Sequence, residues 1–221
     1  MTTTIACIGA GRVTRILLEG LARKNCLPKR IIVTDTNPDV LKKLAEKFPT
    51  IEAKNQVDES MSSADFLFIS LHPPVVGEML HNIVPFLGEQ TTIVSLAPKI
   101  KIATINQFTG ASRPVIRMIP NAASYVNEGY NPVVFGSSCP ENIRKKFTEL
   151  IAPLGQMPEV PEETLEAYAI VFVVLEGEGI ITSGIINHEV KPMHMVSVGK
   201  AEDRGIQCSK RMMLLGIRED V

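Results

Sequence analysis

Short apolar runs alternate with stretches of helical spacing through the first 160 residues. Ile5–Ile8 is a β-branched-rich run that ends at Gly9-Ala10-Gly11. From Val13 the apolar positions fall at Val13, Ile16, Leu17 and Leu21, one face of a helix. Ile31–Thr34 reads as a second strand. Asn37-Pro38 then predicts a helix start, with Asn as N-cap and Pro in the first helical position. Leu41, Leu44, Ala45 and Phe48 supply that helix's buried stripe. Phe66–Leu71 is an apolar run of the kind found in strands covered on both faces. Pro73-Pro74 ends it and opens a helix through Leu80. Thr92–Leu96, Val115–Ile119 and Val133–Phe135 repeat the strand pattern, with helical spacing at Ile102, Ile105 and Phe108. Ser138-Cys139-Pro140-Glu141 has capping-box spacing ahead of Ile143, Phe147, Leu150 and Ile151.

This alternation predicts an α/β fold with a doubly wound, mostly parallel sheet. Two prolines and a glycine between Gly155 and Pro161 mark a boundary. The expected organisation is a first domain over residues 1–158 and a short, atypical C-terminal region over 159–221. In that region Glu162–Ala169 reads as a helix, Ile170–Leu175 and Ile180–Ile186 as strands, and Gly177-Glu178-Gly179 as a turn. Neither a long amphipathic helix nor another α/β repeat is legible there. The expectation is short β-like structure on the sheet edge, or a loosely held tail.

Composition narrows the function. Lys+Arg 23 against Asp+Glu 24 leaves a net charge of −1 in 221 residues. No basic excess exists to neutralise phosphate backbones, which argues against nucleic acid as a partner. Cys7, Cys26, Cys139 and Cys208 are scattered without C-x-x-C spacing, as in a reduced compartment. Met-Thr-Thr-Thr carries no basic leader pattern. The longest apolar run, Ala167 to Leu175, falls far short of the roughly 20 residues a spanning helix needs. A cytoplasmic protein without a membrane partner is the expectation.

The candidate chemistry sits at the strand ends. Gly9-Ala10-Gly11-Arg12-Val13-Thr14 follows a strand and opens a helix within a β-α-β unit, the context a Rossmann dinucleotide fingerprint requires. Gly9 permits the tight turn, and Gly11 lets a pyrophosphate approach the N–H groups of the helix N-terminus. The third small position is Thr14 rather than Gly or Ala. Asp35 ends the second strand, 21 residues after Thr14. An acid there can accept from the adenosine ribose, or cap a helix. Its charge favours NAD, whereas Arg12 and Thr36 could receive a 2′-phosphate, so NAD and NADP both stand as candidate cofactors. His72 follows the third main strand, either as a titrating group or as a loop residue that meets cofactor through its backbone. His188 and His194 lack chelating spacing, so no metal is expected.

In these stretches the chain resembles the pyrroline-5-carboxylate reductase family. Ile8-Gly9-Ala10-Gly11 is similar to its opening fingerprint, and Leu71-His72-Pro73-Pro74 to its Val-Lys-Pro-Gln. Ser95-Leu96-Ala97 resembles its Ser-Ile-Ala-Ala-Gly. Arg117-Met118-Ile119-Pro120-Asn121-Ala122-Ala123, with Glu128-Gly129 beyond, resembles its Arg-Val-Met-Pro-Asn-Thr-Pro and Gly-Glu-Gly. The similarity covers about residues 4–169, and deazaflavin-linked NADP reductases share the first domain. The resemblance implies a cofactor lying along Leu71, His72 and Pro73, with its nicotinamide near Ala97, Pro120 and Asn121. It also implies hydride transfer to a small cyclic imine, as in proline biosynthesis. Asn121 would orient the nicotinamide edge or cap a turn, and Arg117 reads as structural.

The resemblance stops near Ile170. The family continues into a Ser-Gly-Ser-Gly-Pro-Ala segment and a long helical dimerisation domain, which lends substrate contacts and a hydroxyl proton donor. Phe172-Val173-Val174-Leu175-Glu176-Gly177 stands there instead. No catalytic residue is therefore assigned, and a homo-oligomer stays open. Three readings follow: an imine reductase, a dinucleotide-binding protein with impaired turnover, and a deazaflavin-linked NADP reductase.

Overall fold

The computed structural model describes residues 3–165, 170–183, 186–198, 204–209 and 213–218. The chain divides into two units, Met1–Glu159 and Val160–Val221.

The first unit is built on a seven-stranded sheet. Its strands are β1 (Thr4–Ile8), β2 (Arg30–Thr34), β3 (Glu52–Lys54), β4 (Phe66–Ile69), β5 (Thr92–Ser95), β6 (Val115–Met118) and, beyond a two-residue β7 (Gly129–Tyr130), β8 (Val133–Phe135). The order is β3-β2-β1-β4-β5-β6-β8. All neighbours are parallel except β6 and β8. The helices are α1 (Arg12–Arg23), α2 (Pro38–Lys47), α3 (Pro73–Ile83), α4 (Ile102–Thr109) and α5 (Glu141–Ile151). The short β9 (Gly155–Gln156) pairs with β7.

The unbroken apolar strands follow from burial on both sheet faces. Along β4, Phe66 and Phe68 join one core cluster with Leu17, Leu21, Leu44 and Phe147 from the helices. Leu67 belongs to a cluster with Met61 and Ile83, and Ile69 to one with Val76, Leu80 and Ile105. Successive side chains point to opposite faces, so a doubly covered strand has no polar position to spare. Phe147 anchors the first face, with its ring centroid 5.4 Å from Phe66, 6.1 Å from Phe135 and 6.3 Å from Phe68.

The helix ends test the sequence signals. At α2 the Asn37 side chain accepts from the Asp39 and Val40 amides, with Pro38 opening the helix as expected. At α5 the capping box does not form. Pro140 occupies the N-cap position without a side-chain bond, and Ser138 Oγ donates instead to the Arg113 carbonyl at 2.8 Å. The reason is local: a helix capped by Ser138 would need Cys139 in the α region, which a following proline disfavours. The strand β3 has no apolar pattern to announce it. It pairs only with β2, where Arg30 grips Glu52 through two bonds of 2.6 and 2.9 Å. Glu19, on the buried side of α1, is matched by Lys47 and Arg15.

The second unit begins with α6 (Glu162–Leu165); the rest of the helix expected through Ala169 lies outside the described residues. Six strands follow: β10 (Ile170–Glu176), β11 (Gly179–Ser183), β12 (Ile186–Val190), β13 (Met195–Val198), β14 (Arg204–Cys208) and β15 (Met213–Arg218). They form two antiparallel sheets, β13-β10-β15 and β12-β11-β14. Val174, Ile181, Val190 and Val196 share a buried cluster. Of the expected strand Ile180–Ile186, the part through Ser183 lies in β11, and Ile186 belongs to β12, which pairs antiparallel with it. The expectation of β structure on the edge of the main sheet is corrected too: that sheet ends at β3 and β8, and the tail's strands pair with one another. Antiparallel neighbours joined by short turns satisfy each other's backbone groups without a crossover helix. No helix among the described residues is long and apolar enough to cross a membrane.

Candidate functional site

The six parallel strands β1 to β6 bring their carboxyl ends to one edge. From β1 the chain runs outward to β2 and β3, then returns to β4 on the other side of β1. Connections leaving β1 and β4 in opposite directions open a crevice between them, where ligands of open α/β sheets bind.

Gly9 makes the turn out of β1. Its φ of +99° lies in the left-handed region, and a Cβ there would come 2.5 Å from the Ser70 carbonyl oxygen. Its amide donates to the Thr34 carbonyl at 2.7 Å, while its own carbonyl accepts from Thr14 Oγ1 at 2.5 Å. The departure at the third fingerprint position thus has a use: the Thr14 hydroxyl latches the turn. Gly11 caps α1 with its backbone alone, and no acidic side chain occupies the first turn. A Cβ added at Gly11 would meet nothing within 4 Å. The first amides of α1 therefore lack side-chain partners at the positive end of a helix dipole, a cradle for an anion. Ala10 is buried, Val13 half-buried and Arg12 exposed beside it.

The neighbouring strand ends complete the edge. Asp35 follows β2 and accepts from the Ala10 amide at 2.7 Å and from the Asn37 amide at 2.8 Å, with Thr36 exposed next to it. After β4, Leu71 is half-buried and His72 exposed. His72 holds the N-cap position of α3 without a side-chain bond, and Pro73 opens the helix. After β5, Ala97 is buried. After β6, Pro120 is half-buried and Asn121 is 7% exposed. Neither polar atom of the Asn121 carboxamide has a hydrogen-bond partner among the described residues. Arg117 is buried within β6.

Sequence reasoning missed the support behind Asn121. Asn131 is fully buried, and its Oδ1 accepts from Ser124 Oγ at 2.6 Å and from the Asn121 amide at 3.3 Å. Nothing in its local pattern announces this. The hydroxyls of Thr34, Ser70 and Ser95 were also passed over. Each ends or follows a parallel strand, and each is buried without a partner among the described residues. Small hydroxyl residues at successive strand ends were the available signal.

Burial pushes the Cys7 thiol up to about 12, and burial raises that of Cys139 as well. Both are inert core groups rather than nucleophiles. Among the described residues no cluster of three or more His, Cys, Asp or Glu could hold a metal.

Comparison with known proteins agrees with this geometry. Residues 4–99 match the family model described as NADP oxidoreductase coenzyme F420-dependent. The pyrroline-5-carboxylate reductase of Corynebacterium melassecola is 28% identical over 194 residues, covering 83% of this chain and 71% of the relative. A pyrroline-5-carboxylate reductase structure from Coxiella burnetii superposes with a TM-score of 0.70 at 22% identity, covering 76% of this chain and 63% of that one. A Plasmodium falciparum pyrroline carboxylate reductase with NADP bound superposes with a TM-score of 0.65 at 18% identity, covering 76% and 61%. At such identities the structural likenesses show the fold. The chain spans 46–71% of the length of curated relatives it matches. Residues 4–99 of the first unit are thus similar to an NADP oxidoreductase family, its sheet is Rossmann-like, and the chain is similar to the pyrroline-5-carboxylate reductases.

Proposed function

We propose that this chain is an NADP(H)-binding oxidoreductase whose substrate is a small cyclic imine of the pyrroline-5-carboxylate type. The observation that carries the reading is the Asn121 carboxamide. It is buried at the carboxyl end of β6 with no partner among the described residues, and an unpaired buried amide costs about 1–3 kcal/mol. A nicotinamide carboxamide offers the matching donor and acceptor. The residues on the page fit a dinucleotide at the other end as well, where the first amides of α1 suit a pyrophosphate. Arg12 and Thr36, both exposed at that edge, would receive a 2′-phosphate. Leu71, His72, Pro73, Ala97 and Pro120 would line its path, and Gly9, Ala10, Gly11 and Val13 would form the cradle.

When bound, the reduced nicotinamide supplies a hydride to the imine carbon, giving a cyclic amine. The protein's part is to fix geometry: the α1 amides hold the pyrophosphate, Asn131 and Ser124 hold the Asn121 backbone, and Asn121 aligns the ring. Residues 159–221 stand, in this reading, where relatives place a helical substrate and dimerisation domain. A cytoplasmic location fits four free thiols, and a second copy would be needed to build the imine pocket.

A second reading, dinucleotide binding with impaired turnover, is favoured by the strands β10 to β15 in place of helices. One experiment separates the two. Calorimetric titration with NADPH and NADH is followed by NADPH consumption with pyrroline-5-carboxylate, and with an oxidised deazaflavin as control. Binding with imine reduction supports the first reading, and binding without it the second. Deazaflavin turnover alone would replace both, and no binding would sink all three. Gly11→Val should raise the NADPH dissociation constant at least about tenfold with the fold intact, since its side chain would fill the cradle.

A further inference from the structure

We infer that Asp35 is a positioning residue for the glycine turn, acting on the nucleotide through the backbone rather than by touching the ribose. The inference rests on the proposed dinucleotide site. Both carboxylate oxygens are already directed at chain amides. Oδ2 takes the Ala10 N–H at 2.7 Å, and Oδ1 takes the Asn37 N–H at 2.8 Å. Backbone N–H bonds of this length to a carboxylate are of the stronger, charge-assisted kind. Ala10 is 4% exposed, so its amide has no water to fall back on.

The same carboxylate thus joins two loops. One is the Gly9-Ala10-Gly11 turn that leads into α1; the other is the turn that leads into α2. The adjacent backbone bond from the Gly9 amide to the Thr34 carbonyl, at 2.7 Å, runs in parallel with it. Two consecutive amides of the glycine turn are therefore pinned to the end of β2. From the other side the Thr14 hydroxyl pins the Gly9 carbonyl at 2.5 Å. Such a turn is preorganised, and the amides that follow it meet a pyrophosphate without first being ordered. Removing the carboxylate leaves the Ala10 N–H buried and unpaired and frees the turn to shift.

A ribose acceptor and a turn clamp differ in what they distinguish. An acceptor for the 2′-hydroxyl favours NADH, and its loss spares or improves NADPH, because a negative charge near the 2′-phosphate disappears. A clamp acts on the pyrophosphate cradle that both nucleotides share. Its loss weakens both by the same factor.

The test uses the full chain and calorimetric titration with NADPH and NADH. Asp35→Ala should raise both dissociation constants about tenfold, with their ratio held within about threefold of the wild-type ratio. Asp35→Asn keeps one acceptor oxygen for one of the two amides. It should produce an intermediate loss, again equal for both nucleotides, and it carries the test if the alanine variant does not fold. Thermal melting without ligand runs alongside. A ratio that moves tenfold toward NADPH would overturn the inference and return Asp35 to the ribose. Unchanged affinities with a lowered melting midpoint would overturn it in favour of a purely structural role. A wild-type chain that binds neither nucleotide would overturn the proposed function and this inference together, whereas a ratio change overturns only this one.

Discussion

The two units solve the same problem, hiding backbone and apolar surface, with different amounts of material. In Met1–Glu159 the parallel sheet is covered on both faces, and its clusters join residues far apart in sequence, such as Leu17 with Phe147 and Ile32 with Ile83. In Val160–Val221 the described core cluster has four residues, Val174, Ile181, Val190 and Val196. Parallel strands need crossovers, and crossovers send every carboxyl end to one edge, where loops can share a ligand. Antiparallel strands alternate direction and gather no such edge. The contrast teaches where chemistry can live: the first unit creates a site as a by-product of its topology, while the second has to stabilise itself first.

That contrast can be broken by truncating each core. The largest effect is expected at Phe147, which is fully buried against three other phenylalanine rings. Phe147→Ala should cost about 3–5 kcal/mol in chemical denaturation, because the cavity lies between β4 and α5 where neighbours cannot collapse. Ile181→Ala, also at a fully buried position, should cost about 2 kcal/mol, the low end for such a change, because so small a cluster relaxes more easily. Equal costs at the two sites would erase the distinction. Two separable melting transitions, one moved by each variant, would sharpen it.

The smallest effect is expected at Asp58, where bonds from Lys54 and Ser60 hold the carboxyl at about 2, below its ordinary 3.8. A depressed carboxyl stabilises the fold above its ordinary value, and that contribution is lost as pH falls through the folded one. Asp58→Asn should therefore lower the melting midpoint slightly at pH 7, and by only a small remainder of that near pH 2. The group is exposed, so salt should shrink the difference. A midpoint gap that persisted undiminished at pH 2 would show that something other than the charge was lost.

Most of the first unit was legible because its signals are local and agree with one another. The Asn37-Pro38 cap, the Gly9 turn and the doubly buried strands each follow from a few adjacent residues. What escaped depends on distant partners. β3 exists because β2 offers it an edge and Arg30 reaches Glu52. Ser138 left its box because Cys139-Pro140 bars the helix and the Arg113 carbonyl is at hand. Asn131 matters because Ser124 and Asn121 fold onto it. The candidate site divides the same way: its glycines, Asp35 and Asn121 stand out in the sequence, but the bonds that aim them do not. In the second unit the apolar runs of β10 and β11 were legible, while β13, β14, β15 and every pairing were not, since apolar runs carry no mark of their neighbours.

Asn127 adds a consequence for the order of folding. In the left-handed conformation at φ +66°, its Nδ2 donates to the Gly20 carbonyl at 2.8 Å and to the Pro153 carbonyl at 2.7 Å. The first of these bonds spans 107 positions of sequence. Closing so long a loop for a single side chain is entropically unrewarding until the intervening strands have assembled. The contact therefore belongs to the late, downhill side of the folding barrier. A residue there governs how long the folded state lasts rather than how fast it is reached, and Asn127 is in that sense a latch on the lifetime of the first unit.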